Sequence, residues 1–236
     1  MTETDDPSFP PLLTGEETAP GVDPFAKAVA SAALGTDPGL VCWSRDPAAL
    51  RAALVLAPEA PLERAVGIVF AVALGLGDAL GALAPPEVAV HFLWPGRFKV
   101  NGADCGALRV AASTTDPKAE PDWLVVGIDI PYRPPSQVEP GRRPDQTSLI
   151  EEGCIEVTSS KLLESWARHT LHWIHRWLDD GFQPLHAAWR DRAWGVGEEA
   201  PGGGLFMGLD EFGGMLVKTA KTTELRPLTA MLEDLS

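Results

Sequence analysis

The chain has 236 residues, with 33 acidic and 19 basic side chains, so its formal net charge is −14. Such an excess of acid argues against partners that are nucleic acids, which require clustered Lys and Arg, and against anionic membrane surfaces. Three widely spaced cysteines, Cys42, Cys105 and Cys154, predict free thiols in a reducing compartment. Because the acidic, Pro-rich start of the sequence also lacks a secretory pattern, we expect a cytoplasmic protein.

The first sixty residues predict a tail followed by short elements. Residues 1–22 are polar and Pro-rich, and we expect them to form an extended tail. Two Asp-Pro pairs, at 23–24 and 46–47, are N-terminal helix signals. They predict helices over 25–34, ended by Gly35, and over 48–53. Short apolar runs at 40–43 and 54–56 predict strands.

Residues 62–83 predict the longest helix of the first half. Its longest uncharged run, 65–77, has 13 residues, whereas a membrane span needs about 20. We therefore expect a helix buried against a sheet and no membrane partner.

The rest of the chain predicts a sheet, two helices and a second, smaller sheet. Strands are expected at 88–93, 97–100, 105–112 and 123–130, with Asn101-Gly102 as a hairpin turn. A surface loop over 133–147 precedes helices 161–178, capped by Ser159 or Ser160, and 183–194. A hairpin over 205–219 follows. This order predicts an α+β fold with an antiparallel or mixed sheet, a main domain at 23–196 and a small β domain at 197–236.

Several stretches, in chain order, resemble the biotin protein ligases. Residues 88–108, VAVHFLWPGRFKVNGADCGAL, resemble a family stretch that reads KWPND, a hydrophobic strand, NG, a Lys-containing turn and GIL. LVVGID at 124–129 resembles a later strand that ends in GIN, and DQTSLIEEG at 145–153 resembles an ATSL segment. GLDEFGGMLV at 208–217 is similar to a hairpin of the family's small C-terminal domain. The resemblance spans about residues 20–236.

This resemblance to the biotin/lipoate A/B protein ligase superfamily implies a fold and a set of ligands. The implied fold is a class II tRNA-synthetase-like α+β domain with a small SH3-like β domain. The implied cofactors are ATP with biotin or lipoate, and the implied partner is a biotinyl or lipoyl acceptor domain. By the same resemblance the protein is a monomer or a homodimer.

The sequence departs from the family at the residues that handle ATP. The span that corresponds to the family's Arg- and Gly-rich loop, 45–53, retains only Arg45 and Arg51. WPND becomes Trp94-Pro95-Gly96-Arg97, the Asn of GIN becomes Asp129, and the turn that carries the family's Lys has Ala103 and Asp104. Because ligand activation brings a carboxylate against the α-phosphate of ATP, it needs preorganised cations. We therefore expect the pocket to be remodelled and standard ATP-dependent ligation to be absent.

The candidate ligand-binding residues follow from this correspondence, and no metal site is predicted. They are Arg45, Trp94, Pro95, Gly96, Arg97, Lys99, Asn101, Gly106, Gly127 and Asp129. Arg97 and Lys99 alternate on a strand, so they form either an anion-binding pair or an exposed strand face. Asp129 either pairs with Arg97 across adjacent strands or holds a metal or a ligand hydroxyl.

Three other sets are expected to be structural. Cys105 and Cys154 lack a neighbouring base in their own segments, so we interpret them as core residues rather than acyl carriers. His169, His172 and His175 lie opposite the apolar stripe of their helix, which favours a solvated face over a metal site. Helically spaced tryptophans favour core packing over a cofactor site.

Three functions stay open at this stage. The leading hypothesis is a ligase-like protein that binds a small carboxylate or acyl ligand in a remodelled pocket. The second is an active biotinyl, lipoyl or acyl transferase that uses non-standard residues. The third is a non-enzymatic module whose acidic surface binds a basic partner.

Overall fold

The computed structural model describes residues 6–134, 143 and 145–234. Within them the strands are Thr14–Glu17 (β1), Leu40–Trp43 (β2), Ala49–Leu56 (β3), Val90–Leu93 (β4), Arg97–Val100 (β5), Ala103–Ala112 (β6), Leu124–Pro131 (β7), Leu205–Leu209 (β8), Met215–Lys218 (β9) and Thr223–Arg226 (β10). The α-helices are Pro24–Ala33 (α1), Leu62–Ala65 (α2), Ile68–Leu83 (α3), Ser159–Asp180 (α4) and Gln183–Arg190 (α5), and Leu228–Met231 is a short 3₁₀ helix.

The strands form one large mixed sheet and one small antiparallel sheet. The large sheet has the order β1-β2-β3-β7-β6-β5-β4, and the small one has the order β10-β9-β8. Only β1 and β2 run parallel among the described strand pairs; the others are antiparallel. The mixed sheet with flanking helices confirms the predicted α+β class.

The two faces of the large sheet are covered unequally. One face packs against α3, which itself packs against α4, and carries the main apolar core. The other face packs against α1, through a small cluster that includes Phe25, Ala28, Cys42 and Val125. Since α1 has ten residues, it covers only part of that face. The end of the sheet face that carries charged residues is left open.

Local signals in the sequence are confirmed where they are strong. Asp23 caps α1 by accepting a hydrogen bond from the Phe25 backbone N–H at 3.1 Å. Asn101 and Gly102 both have positive φ, at 48° and 88°, as a two-residue type I′ hairpin requires. The long helix α4 is found as expected, but its cap is Thr158, one residue before the predicted serines.

Three predicted elements are wrong, and tertiary pairing explains two of them. Residues 48–53 are not helical; they belong to β3, which pairs with β7 along all eight of its residues. Thr14–Glu17, inside the expected tail, pairs with β2 although all four residues are exposed. The predicted helix 62–83 is interrupted at Val66 and Gly67, so α2 and α3 are separate. Of the expected loop 133–147, residues 135–142 and 144 lie outside the described part of the chain.

The segment Leu62–Leu83 is long and apolar enough to cross a membrane, and 78% of its apolar window is buried inside the protein. Helix α3 within it supplies Phe70, Leu74, Leu76 and Leu80 to the core. This burial is that of a core helix in a soluble fold and confirms the expectation of a helix packed on the sheet.

Two glycines of α3 test how closely the helices approach. A Cβ atom on Gly75 would lie 2.8 Å from the backbone N and Cα of Thr170 in α4, whereas a Cβ atom on Gly81 meets nothing within 4 Å. We expect Gly75→Ala to destabilise the protein by about 1–3 kcal/mol through overpacking. Gly81→Ala, the matched control, should stabilise it by up to about 1 kcal/mol through helix propensity. Urea unfolding of both variants measures the difference; equal effects would contradict the close α3–α4 contact.

Candidate functional site

A row of residues crosses four strands at the charged end of the α1 face. Arg51 on β3 is in register with Asp129 on β7, Asp129 with Ala107 on β6, and Ala107 with Arg97 on β5. Residues directly opposite each other in a sheet project from the same face. Arg109 follows Ala107 by two positions and is in register with Gly127, so it joins the same face.

A cavity of about 480 Å³ lies over this end of the sheet. Its walls are the segment 17–24, which leads into α1, and the segment 44–47, which joins β2 to β3. Its floor includes the strand residues Arg51, Arg109 and Asp129. Ser44 Oγ in the wall is buried and has no hydrogen-bond partner among the described residues. The cavity is therefore a concave, polar space of the kind that binds a small molecule.

Each arginine of the cavity contacts two carboxylates. Arg51 donates from Nη1 to Asp46 at 2.6 Å and from Nε to Asp129 at 3.1 Å. Arg45 contacts Glu17 at 2.8 Å and Asp6 at 2.6 Å. Both arginines are therefore neutralised by carboxylates of the protein.

Arg109 is the most constrained of the three arginines. Its Nε and Nη2 donate to the two carboxylate oxygens of Glu233 at 2.6 and 2.9 Å, and its Nη1 donates to Asp23 at 2.6 Å. Its guanidinium carbon lies 4.1 Å from the ring centroid of Phe25. The paired carboxylates, chiefly Glu233 as acceptor of the hydrogen bonds from Arg109, raise the pKa of Arg109.

The group of three arginines and six carboxylates carries a net charge of −3. Burial pushes the pKa of Asp23 upward, but hydrogen bonds from Arg109 and from the Phe25 N–H outweigh burial and leave the pKa below its ordinary value. Asp23 therefore stays ionised at neutral pH and holds Arg109 beside the start of α1.

Arg97 and Lys99 lie away from this cavity and share Asp104. Arg97 Nη2 contacts one Asp104 oxygen, and Lys99 Nζ lies 2.9 Å from the other. Lys99 also lies over the Trp194 ring, 5.4 Å from its centroid. The expected pair between Arg97 and Asp129 does not form, because β6 lies between their strands and Asp129 binds Arg51 instead.

The remaining predicted residues have structural roles and do not contribute charged groups to the cavity. Trp94 is buried and donates from Nε1 to the carbonyl of Gly213 at 2.9 Å. Pro95 and Gly96 form the link from β4 to β5, where the Gly96 carbonyl accepts from Leu108 N at 2.6 Å. Asn101 closes the hairpin and donates to Glu152 at 2.7 Å.

Two predicted glycines lie where neighbouring atoms approach the backbone closely. A Cβ atom on Gly106, whose φ is +95°, would lie 2.3 Å from the Asp129 carbonyl oxygen. A Cβ atom on Gly127 would lie 2.7 Å from the Phe25 ring. Both positions therefore require glycine, Gly106 for backbone packing and Gly127 for the ring that supports Arg109.

The cysteine, histidine and tryptophan sets are structural. All three cysteines are free and buried, and burial raises the pKa of Cys105 to about 12 and of Cys42 to about 11. His172 and His175 are exposed, and no cluster of three metal-ligating side chains occurs in the part of the chain that the structure describes. Trp166 and Trp189 are fully buried. These findings confirm the predicted core thiols and tryptophans.

Arg109 was missed in the sequence, and Asp23 and Asp46 were identified only as helix caps. A single Arg in the otherwise apolar run 107–112 is a signal that could have been used, since a charge within a strand needs a partner. Of the predicted site residues, the structure brings Arg45, Gly127 and Asp129 to the cavity region.

The fold is that of the biotin protein ligases. A biotin protein ligase from Aquifex aeolicus superimposes with a TM-score of 0.71 at 18% identity, over 93% of this chain and 96% of that one. The model of the biotin/lipoate A/B protein ligase family matches residues 9–191, so the chain belongs to that family.

A nearer relative has no known function. A biotin protein ligase-like protein of unknown function from Silicibacter sp. TM1040 is 51% identical, with a TM-score of 0.91 over 97% of this chain and 100% of that one. The biotin protein ligase of Leishmania major, in complex with biotinyl-5-AMP, gives a TM-score of 0.56 at 15% identity, over 92% of this chain and 98% of that one. A comparison with curated proteins gives no match.

The two roles of Asp23 can be separated by mutation. Asp23→Asn keeps a side-chain oxygen that caps α1 but removes the charge that faces Arg109, whereas Asp23→Ala removes both. We expect Asp23→Ala to be less stable than Asp23→Asn by about 1 kcal/mol, the usual value of a helix cap. Urea unfolding measures both variants; equal stabilities would contradict the capping role.

The stability that depends on the Asp23 charge should vanish in acid. Because the folded-state pKa is lowered, this contribution is complete above the ordinary carboxyl value of 3.8 and is lost as the pH falls through the folded-state pKa. The gap between the parent protein and Asp23→Asn should therefore close on acidification. Asp37→Asn, which removes the same charge at an exposed position, should show no such gap at neutral pH.

Proposed function

We propose that this protein is a cytoplasmic, ligase-like binding protein whose cavity takes a small carboxylate or acyl ligand, and that it does not catalyse standard ATP-dependent ligation. The observation that carries the proposal is the cavity of about 480 Å³ beneath segment 44–47. By sequence resemblance this segment belongs to the family's ligand loop, and Asp129 stands where the family strand ends in GIN. The domain 23–196 would hold the site.

Solved relatives indicate which ligands should be tried. The Aquifex aeolicus ligase has been solved with biotin and ATP, and a Helicobacter pylori relative with biotinylated ATP. These compounds combine an acyl chain, a carboxylate or acyl phosphate, and a nucleotide. They serve as starting points because this chain shares the fold and offers a cavity of suitable size for such an acyl chain.

The charges around the cavity argue against adenylation. ATP would enter a region where three guanidinium groups already hold six carboxylates, and Asp104 holds Arg97 and Lys99. No positive group is left free among these five to approach a phosphate. A missing cation at the reacting centre typically lowers the rate by about a thousandfold.

A single carboxylate or acyl group is a better match for this cavity. A ligand carboxylate would reach a guanidinium group of the floor by exchange with one of the protein's own carboxylates, and the wall offers Pro20, Val22 and Pro24 for an aliphatic chain. Arginine binds carboxylates through two parallel hydrogen bonds, which gives orientation as well as affinity. Such a ligand would lie with its chain along the segment 17–24 and its charged end at the sheet.

Isothermal titration with biotin, lipoate, octanoate and their adenylates tests this proposal. We expect binding of at least one acyl compound, and a loss of about tenfold in Arg109→Gln, since a hydrogen bond to a charged group contributes about 1.5–3 kcal/mol. Arg176→Gln on the exposed side of α4 is the matched control and should bind like the parent.

Incubation with ATP, each acid and a biotinyl or lipoyl acceptor domain completes the test. We expect no labelling of the acceptor. Labelling would instead establish an active transferase that uses non-standard residues, and absence of binding to every compound would refute the ligand-binding function.

A further inference from the structure

The last described residues return from the small sheet to the cavity. After the 3₁₀ helix Leu228–Met231, Leu232 forms a parallel bridge with Val110 of β6, and the Glu233 N–H donates to the Val110 carbonyl at 2.8 Å. This edge of β6 is available because β5 pairs with β6 only as far as Ala107. The Glu233 side chain thereby reaches Arg109, 124 residues away in sequence.

Glu233 holds Arg109 as a carboxylate ligand would hold it. Its two oxygens accept from Nε and Nη2, at 2.6 and 2.9 Å, in the side-on bidentate geometry by which arginine recognises carboxylates. The side chains of Glu233 and Arg109 are 35% and 36% exposed, so water or a solute reaches the pair.

Arg109 is also held by contacts that do not involve Glu233. Its backbone lies in the middle of β6, its guanidinium lies on the Phe25 ring, and Asp23 holds Nη1. Without Glu233, the Nε and Nη2 edge would be an oriented, unoccupied carboxylate site at the cavity. Such preorganisation reduces the entropy that a ligand loses on binding. Arg45 is less suitable, because one of its partners, Asp6, is 80% exposed and lies in the segment before β1.

We propose that Glu233 is a built-in competitor for the ligand: the segment Leu232–Glu233 is a latch that occupies the carboxylate-binding edge of Arg109, and a carboxylate ligand displaces it. This inference rests on the proposed function and names the regulation of that site. Exchange of one carboxylate for another leaves the charge around Arg109 unchanged, whereas a ligand bound beside a closed latch would add a seventh negative charge to the group. The ligand class selected in this way is a monocarboxylate with an aliphatic chain.

Titration of octanoate and octanamide into three proteins tests the latch. The proteins are the parent, Glu233→Gln and Glu224→Gln; Glu224 lies exposed on β10, so its variant makes the same charge change away from the cavity. We expect Glu233→Gln to bind octanoate about tenfold more tightly than the other two, since the competing charged hydrogen bonds are weakened. Octanamide, which lacks the charge, should show no such difference.

Hydrogen exchange of the parent protein gives a second readout that does not depend on a variant. The Glu233 amide, which is bonded to Val110 in the closed latch, should exchange faster when octanoate is added and should not respond to octanamide. Unchanged exchange at saturating octanoate would overturn the latch.

The outcomes separate the latch from the proposed function. Equal octanoate affinity in all three proteins would overturn the latch and leave the binding function standing. Octanoate binding by Glu233→Gln, with none by the parent or Glu224→Gln, would support a latch that blocks the site fully in the parent protein. Absence of octanoate binding by Glu233→Gln would overturn the latch, whereas only the wider panel of acyl compounds decides the binding function.

Discussion

The register of β7 between β3 and β6 is the constraint on which the cavity depends. Leu124–Pro131 pairs residue by residue with the whole of β3 on one side and with the second half of β6 on the other. This pairing puts Arg51 opposite Asp129 and Arg109 opposite Gly127. A shift of β7 by one residue would turn Asp129 toward the main core, where an unpaired charge is strongly unfavourable. Burial of the alternate apolar residues therefore fixes the charges at the surface.

A consequence of this register is that the arginines of the cavity are already paired with the protein's own carboxylates when no ligand is bound. Three guanidinium groups stand on or beside one sheet face, and each has carboxylates from segments distant in sequence. In a site that activates a carboxylate with ATP, the positive groups have to remain available for the anions of the reaction. Here they bind the protein's own acids. The carboxylates that pair with the three guanidinium groups thus limit which anions can enter the cavity. They favour a ligand that replaces one of them over a ligand that binds beside them.

The fold was predictable where local chemistry decides it. Asp23-Pro24 and Asn101-Gly102 each carry a signal within a few residues, and each gave an element at the expected place, whereas the apolar run 62–83 gave two helices, α2 and α3, in place of one. β1 and β3 were not predicted correctly because pairing with neighbours decides them: Thr14–Glu17 has no apolar alternation, and residues 48–53 follow a helix-like cap.

The site was predictable only in part, for a related reason. Resemblance of the motifs indicated Arg45 and Asp129, which do line the cavity. The partner of Asp129 depends on strand order, which no spacing in the sequence reveals; a pair with Arg97 assumed neighbouring strands, and β6 separates them. Arg109 was missed because its importance arises from Phe25 below it and Glu233 beside it, residues 84 and 124 positions away.

Two of the contacts between the small β unit and the large sheet bear on the latch. Trp94, at the end of β4, donates to the Gly213 carbonyl in the β8–β9 turn, which fixes the small sheet against the large one. From that fixed position the chain runs through β10 and the buried Leu228 to the edge of β6. Because Leu228 is buried, the segment Leu232–Glu233 can leave β6 without movement of the small sheet. Release of the latch is therefore a local opening, compatible with an otherwise unchanged fold.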